Sequence, residues 1–125
     1  MEWKFNNDTP IYLQIIEQIK TMIVTGTLKP GDKIPPVREW AVQAGVNPNT
    51  MQKALAELER EGILYSARTS GRFVSDNNEH AAGLHEELVS QYIGEFTQNM
   101  RNIGYTPEQT LQMYNEYVKG LSKGE

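Results

Sequence analysis

Two short helical patterns meet across Ala44-Gly45-Val46-Asn47, and this junction constrains the fold more than any other part of the chain. Gly45 stands where the backbone must turn sharply with positive φ, a conformation that costs glycine little. Ala41, one helical turn earlier, is small enough for a second helix to approach the first. Trp40, Ala44, Val46, Met51 and Ala54 supply the apolar contacts that would lock the pair. A small residue, a glycine four positions later and apolar residues around the turn form the helix-turn-helix pattern. Ordinary helical hairpins share that pattern, so its meaning depends on what flanks it.

Upstream, Ile11, Ile15, Ile19, Met22 and Ile23 recur at helical spacing, with Tyr12 and Ile16 widening the stripe. Thr9 is expected to cap this helix, with Pro10 in its first turn and Gly26 as its stop. Leu28-Lys29-Pro30-Gly31-Asp32 reads as a tight turn. Pro35 and Pro36 are expected to open the second helix. Asn47-Pro48 caps and opens a third, which runs to about Glu61, with Gly62 as its stop. The period then changes. Ile63-Leu64-Tyr65 and Arg72-Phe73-Val74 read as strands joined by the polar turn Ser66–Gly71. Three helices followed by a hairpin make a winged helix-turn-helix.

The rest of the chain is of another kind. Residues 1–74 hold nine basic and eight acidic residues, a net of +1, whereas residues 75–125 hold three and eight, a net of -5; together they give the chain its -4. The change falls at the polar stretch Ser75–Glu79, so we read 1–75 as one domain and 76–125 as a second. In the second, Leu84, Leu88, Tyr92, Phe96 and Met100 recur every four residues, and Gly104 breaks the run. Thr106-Pro107-Glu108-Gln109 has the arrangement of a capping box, and Leu111, Tyr114, Tyr117, Val118 and Leu121 continue an apolar face. The expected fold class is therefore mainly α with a small β-hairpin: a winged helix-turn-helix and a two-helix C-terminal hairpin. A hairpin of that size cannot bury so wide a stripe alone, and a second copy docked about a two-fold axis would cover it. The aromatic residues of the tail could instead line a ligand pocket.

An acidic chain is a poor partner for phosphates on charge alone, but the acid lies in the tail. On the winged unit, the outward residues of the third helix are Asn47, Asn49, Thr50, Gln52 and Lys53. Asn and Gln can bond adenine bidentately, Thr a base or a phosphate, and Lys a phosphate or guanine. Arg38 lies in the first turn of the preceding helix, a position suited to a backbone phosphate. The hairpin carries Arg68, Thr69, Ser70 and Arg72. These ten residues are the candidate double-stranded DNA contacts. A rival use of the same fold is a protein–protein interaction module.

Other chemistries find little support. The chain has no cysteine, which excludes disulfides and thiolate sites. No run of more than three apolar residues occurs, so no membrane span is expected. His80 and His85 are five apart and do not share a helix face, and Glu86 and Glu87 diverge by about 100°, so no metal site or cofactor is expected. No nucleophile–base pair or phosphate loop is recognisable, and an enzyme is not expected. The expected location is the cytoplasm.

The N-terminal part resembles the GntR family of bacterial transcription regulators. The resemblance is carried by Pro10–Gln14, Gly26–Glu39, Gly45–Thr50, Leu58–Ile63 and Gly71–Val74, in that order, and spans about three-fifths of the chain. The short two-helix tail is similar to that of the YtrA-like subgroup, whose members dimerise through it. The resemblance implies a dimeric, sequence-specific repressor with DNA contacts at Arg38, Asn49, Thr50 and the wing; we expect a homodimer on a palindromic operator, and a small-molecule effector, if one acts, would bind at the dimer interface or between the tail and the N-terminal unit. Pro48 and Gln52 stand where some members have arginine, and Thr69 where the common pattern has glycine. The base preference of those members therefore does not carry over.

Overall fold

The computed structural model describes residues 2–76 and 78–124, with side chains from 2–76 and 82–121. Asn77, within the expected junction, and the side chain of His80 lie outside the described residues. The elements are α1 (Ile11–Val24), α2 (Val37–Ala44), α3 (Pro48–Arg60), β1 (Leu64–Ala67), β2 (Gly71–Val74), α4 (Asn78–Asn102) and α5 (Pro107–Gly124). The fold is mainly helical with one small antiparallel sheet, a winged helix-turn-helix followed by two C-terminal helices.

The chain forms two compact units, residues 1–85 and 86–125. In the first, α1 packs on α3 and α2 packs on α3. Ile15, Ile19, Met51, Leu55, Leu58 and Leu64 are fully buried at the centre. Removing such side chains from water contributes about 1.5–3 kcal/mol each before entropy is charged against it. Trp40 of α2 closes one side, and Trp3 meets it edge-on with ring centroids 5.5 Å apart. Leu84 belongs to the same apolar cluster at 4% exposure. The first unit therefore extends beyond the polar stretch where the junction was expected.

Several boundaries differ from expectation for local reasons. Pro10, and not Thr9, is the N-cap of α1, and no side chain caps it. Buried Gln14 instead ties down the segment that leads into the helix: its Nε2 donates to the carbonyls of Asn6 and Thr9 (2.9 and 2.8 Å) and its Oε1 accepts from the Asn6 N–H. Likewise α2 begins at Val37, with Pro36 as its N-cap. The hairpin is longer than expected and its turn shorter: Leu64 pairs with Val74 and Ala67 with Gly71, leaving three residues at the tip.

Residues 31–34, expected to be turn and connection, form a third line beside β2. The Gly31 N–H donates to Val74 O at 2.9 Å, the Val74 N–H to Asp32 O at 2.8 Å and the Ile34 N–H to Arg72 O at 3.0 Å. Lys33 is thereby paired with Phe73. Pairing on both sides removes the free edge of β2.

In the second unit, Gly104 takes φ +99° after α4, and the capping box forms as expected. The Gln109 N–H donates to Thr106 Oγ1 at 3.1 Å, and the Thr106 N–H to Gln109 Oε1 at 2.9 Å. Phe96 of α4 and Tyr114 of α5 meet edge-on, centroids 6.1 Å apart.

Candidate nucleic-acid interface

The turn between α2 and α3 is built by backbone requirements. Gly45 ends α2 in the left-handed region at φ +72°. The Val46 N–H returns to Ala41 O at 3.0 Å and the Gly45 N–H to Val42 O at 3.2 Å, so two of the last four carbonyls of α2 are satisfied at the turn. A Cβ at Gly45 would meet nothing within 4 Å, so the demand for glycine is conformational and not steric. Ala41, fully buried, keeps the crossing of the two helices close.

Asn47 then caps α3, its Oδ1 accepting the Asn49 N–H at 2.7 Å. That bond commits the acceptor end of Asn47 to the helix. Asn49 and Gln52 are exposed on the first turns of α3, and Thr50 beside them is half-buried. Lys53 is exposed too, but its ammonium lies 3.9 Å from the centre of the Tyr12 ring on α1. Arg38 is exposed in the first turn of α2.

The three hairpin residues Arg68, Thr69 and Ser70 stand exposed at the tip. Arg72, placed with them by sequence reasoning, lines a groove with Thr69 and Ser70 but is tied to α3. Its Nε donates to Glu59 Oε1 on α3, and the hydroxyl of Ser66 donates to the same oxygen. Burial pushes the Glu59 carboxyl up, but the bonds from Ser66 and Arg72 and the arginine charge outweigh it, and the group sits below the ordinary 4.5.

Two further carboxylates at the end of α3 have cations beside them. Glu57 pairs with Arg60, whose hydrogen bond lowers its pKa, and Glu61 lies 3.4 Å from Lys20 of α1. The negative charge that follows the exposed polar turns of α3 is thus offset locally. Sequence reasoning missed Glu59, and it missed Lys33, whose exposed side chain is brought to the hairpin by the pairing of residues 31–34.

The tail residues expected at a dimer interface divide into two groups. Leu84 and Leu88 are buried within the single chain, at 4% and 5% exposure. Tyr92, Phe96, Leu111, Tyr114, Tyr117, Val118 and Leu121 are exposed by 40% or more, and Met100 is half-buried. Between α4 and α5 lies a cleft of about 450 Å³, lined by Tyr92, Phe96, Leu111 and Tyr114 among others. No group of acids and histidines among the described residues could hold a metal ion, and no described helix is long and apolar enough to cross a membrane.

Comparison with known proteins gives one family. The model for bacterial regulatory proteins, gntR family, matches residues 11–74. The chain is 38% identical over 120 residues to the HTH-type transcriptional regulator YhcF of Bacillus subtilis, covering 96% of this chain and 99% of that protein. It is 52% identical over 71 residues to the HTH-type transcriptional repressor YtrA of the same organism, covering 57% of this chain and 55% of that one. Among solved structures, a GntR family transcriptional regulator from Listeria monocytogenes superposes with a TM-score of 0.80 at 36% identity, over 90% of this chain and 98% of the other. The DNA-binding domain of AraR in complex with operator ORX1 superposes with a TM-score of 0.54 at 33% identity, over 60% of this chain and 99% of that one.

Proposed function

Because the chain belongs to the gntR family of bacterial regulatory proteins, we propose that it is a homodimeric transcriptional repressor seated on a palindromic operator. The observation that carries this reading is the solvent-facing polar start of α3, held at a fixed turn from α2. In a helix-turn-helix the first turns of the second helix enter the major groove. Asn49 and Gln52 then read base edges, Thr50 and the Asn47 amide contact bases or phosphates, and Arg38 grips the backbone. Arg68, Thr69 and Ser70 contact the flanking phosphates or minor groove. The AraR domain bound to its operator supports the DNA partner.

Residues 1–75 with the first turns of α4 form the reading unit, and the remaining tail carries the dimer. Its exposed apolar side chains support this role, since a second copy removes them from water. Two-fold symmetry in the protein matches two-fold symmetry in the site. The mechanism is steric: the dimer occupies the promoter in the cytoplasm, and an unidentified small molecule, for which the tail cleft has room, alters the order of the two reading units.

A gel shift on the DNA upstream of the gene, run over a salt series, tests the proposal. Selective binding that weakens as salt rises supports it. Absence of binding to every promoter fragment, with capture of another protein by the same surface, would instead mark an interaction module.

A further inference from the structure

The wing carries three cations with different surroundings. Arg68 stands exposed at the tip. Arg72 is largely covered: its side chain is 18% exposed and that of its partner Glu59 29%. One carboxylate oxygen of α3 thereby receives Ser66 from β1 and Arg72 from β2. Glu59 holds the Nε of Arg72 against α3 and offsets its charge, so the guanidinium has less positive charge to offer a phosphate than a cation with no acid beside it.

Lys33 comes to the wing from the other side. Its backbone pairs with Phe73, and its stem crosses Gly71 so closely that a Cβ there would lie 3.0 Å from Lys33 Cε and 3.7 Å from Nζ. The lysine lines a groove of about 400 Å³ with Thr69, Ser70, Gly71 and Arg72, no described residue lining that groove is acidic, and Arg68 stands at the tip beside it and not in its wall.

We propose that Lys33 and Arg68 are the phosphate-binding cations of the wing, and that Arg72 is a positioning residue that fixes the hairpin to α3 through Glu59. This rests on the DNA-binding reading above. It makes the helix and the wing one rigid reader, with the strut supplied by a residue that sequence alone places at the DNA.

The test uses the full-length protein and one specifically bound fragment. Lys33→Ala makes the slope of log affinity against log salt shallower by about 0.9 per winged unit, the loss of one neutralised phosphate. Arg72→Ala weakens binding about three- to tenfold with the slope unchanged, Glu59→Gln does the same, and the double variant is no worse than either single one. A shallower slope in Arg72→Ala, tighter binding in Glu59→Gln through release of Arg72, or an unchanged slope in Lys33→Ala overturns the assignment. Amide exchange without DNA judges the strut separately. In Glu59→Gln the exchange of the β1 and β2 amides speeds up by more than that of the α1 and α3 amides, and a hairpin that speeds up no more than those helices refutes the strut. If the unmodified protein binds no DNA at any salt, the DNA reading fails and takes the Lys33 assignment with it, and the exchange result still decides the strut.

Discussion

Lys53, on the helix proposed to read bases, holds its ammonium 3.9 Å from the ring centre of Tyr12 on α1. The contact ties the reading helix to the helix behind it and competes with any use of Lys53 at DNA. A cation over an aromatic face at an exposed site is worth about 0.5–1 kcal/mol. Tyr12→Leu should lower stability by about that amount, and Lys53→Ala should cost less in the Tyr12→Leu background than in the native one. Urea titration of the four proteins checks this, and strictly additive losses would show no coupling.

Arg38 and Asn49 should separate phosphate grip from base reading. Arg38→Ala should weaken binding uniformly across sequences and make the salt slope shallower by about one per winged unit. Asn49→Ala should cost about 1–3 kcal/mol on the specific fragment and relax preference at one position. Equal losses on specific and random DNA for both variants would contradict the division.

Leu84 and Tyr117 should behave oppositely although both lie on the apolar face of the tail sequence. Leu84 is 4% exposed within the cluster of the first unit, whereas Tyr117 is 63% exposed. Leu84→Ala should cost about 2–5 kcal/mol of folding stability and leave self-association intact. Tyr117→Ala should leave the fold intact and weaken the proposed dimer. Urea melts and sedimentation equilibrium on both variants would expose a reversed pattern. A fragment ending at residue 75 should accordingly be less stable than one ending at residue 85.

Glu59 should make the first unit acid-sensitive. Its pKa in the folded state lies below 4.5, the ordinary value expected of the unfolded chain. The ionised group therefore contributes stability in full above that value, and the contribution is lost as pH falls below 4.5 through the folded-state pKa. Glu59→Gln should be less stable than the native protein near neutrality, and the gap should narrow below pH 4.5. A gap that stays constant between neutrality and strong acid would refute the linkage.

What the sequence disclosed and what it hid follow from the range of each interaction. Gly45, Asn47-Pro48 and the Thr106–Gln109 box act within four residues, and each was legible because a turn or cap demands particular residue types locally. The Glu59–Arg72 pair joins residues thirteen apart across two elements, and nothing in either neighbourhood announces it. The strand-like run at 31–34 is too short, and too close to Pro35-Pro36, to show a period of two. Periodicity placed Leu84 on the apolar face of its helix. It could not say what covers Leu84 itself, and the answer is the core of the first unit.

The charge division bears on how such a protein would find its site. A protein with a net of +1 over residues 1–74 and of -5 over residues 75–125 gains little from random DNA, so each wrong encounter is brief. Most of its candidate base contacts are uncharged amides and hydroxyls, whose bonds do not depend on releasing counterions. Raising salt should therefore strip away the wrong sites faster than the right one. A regulator built this way searches by repeated short collisions, and its scarcity of positive charge sets the speed of that search.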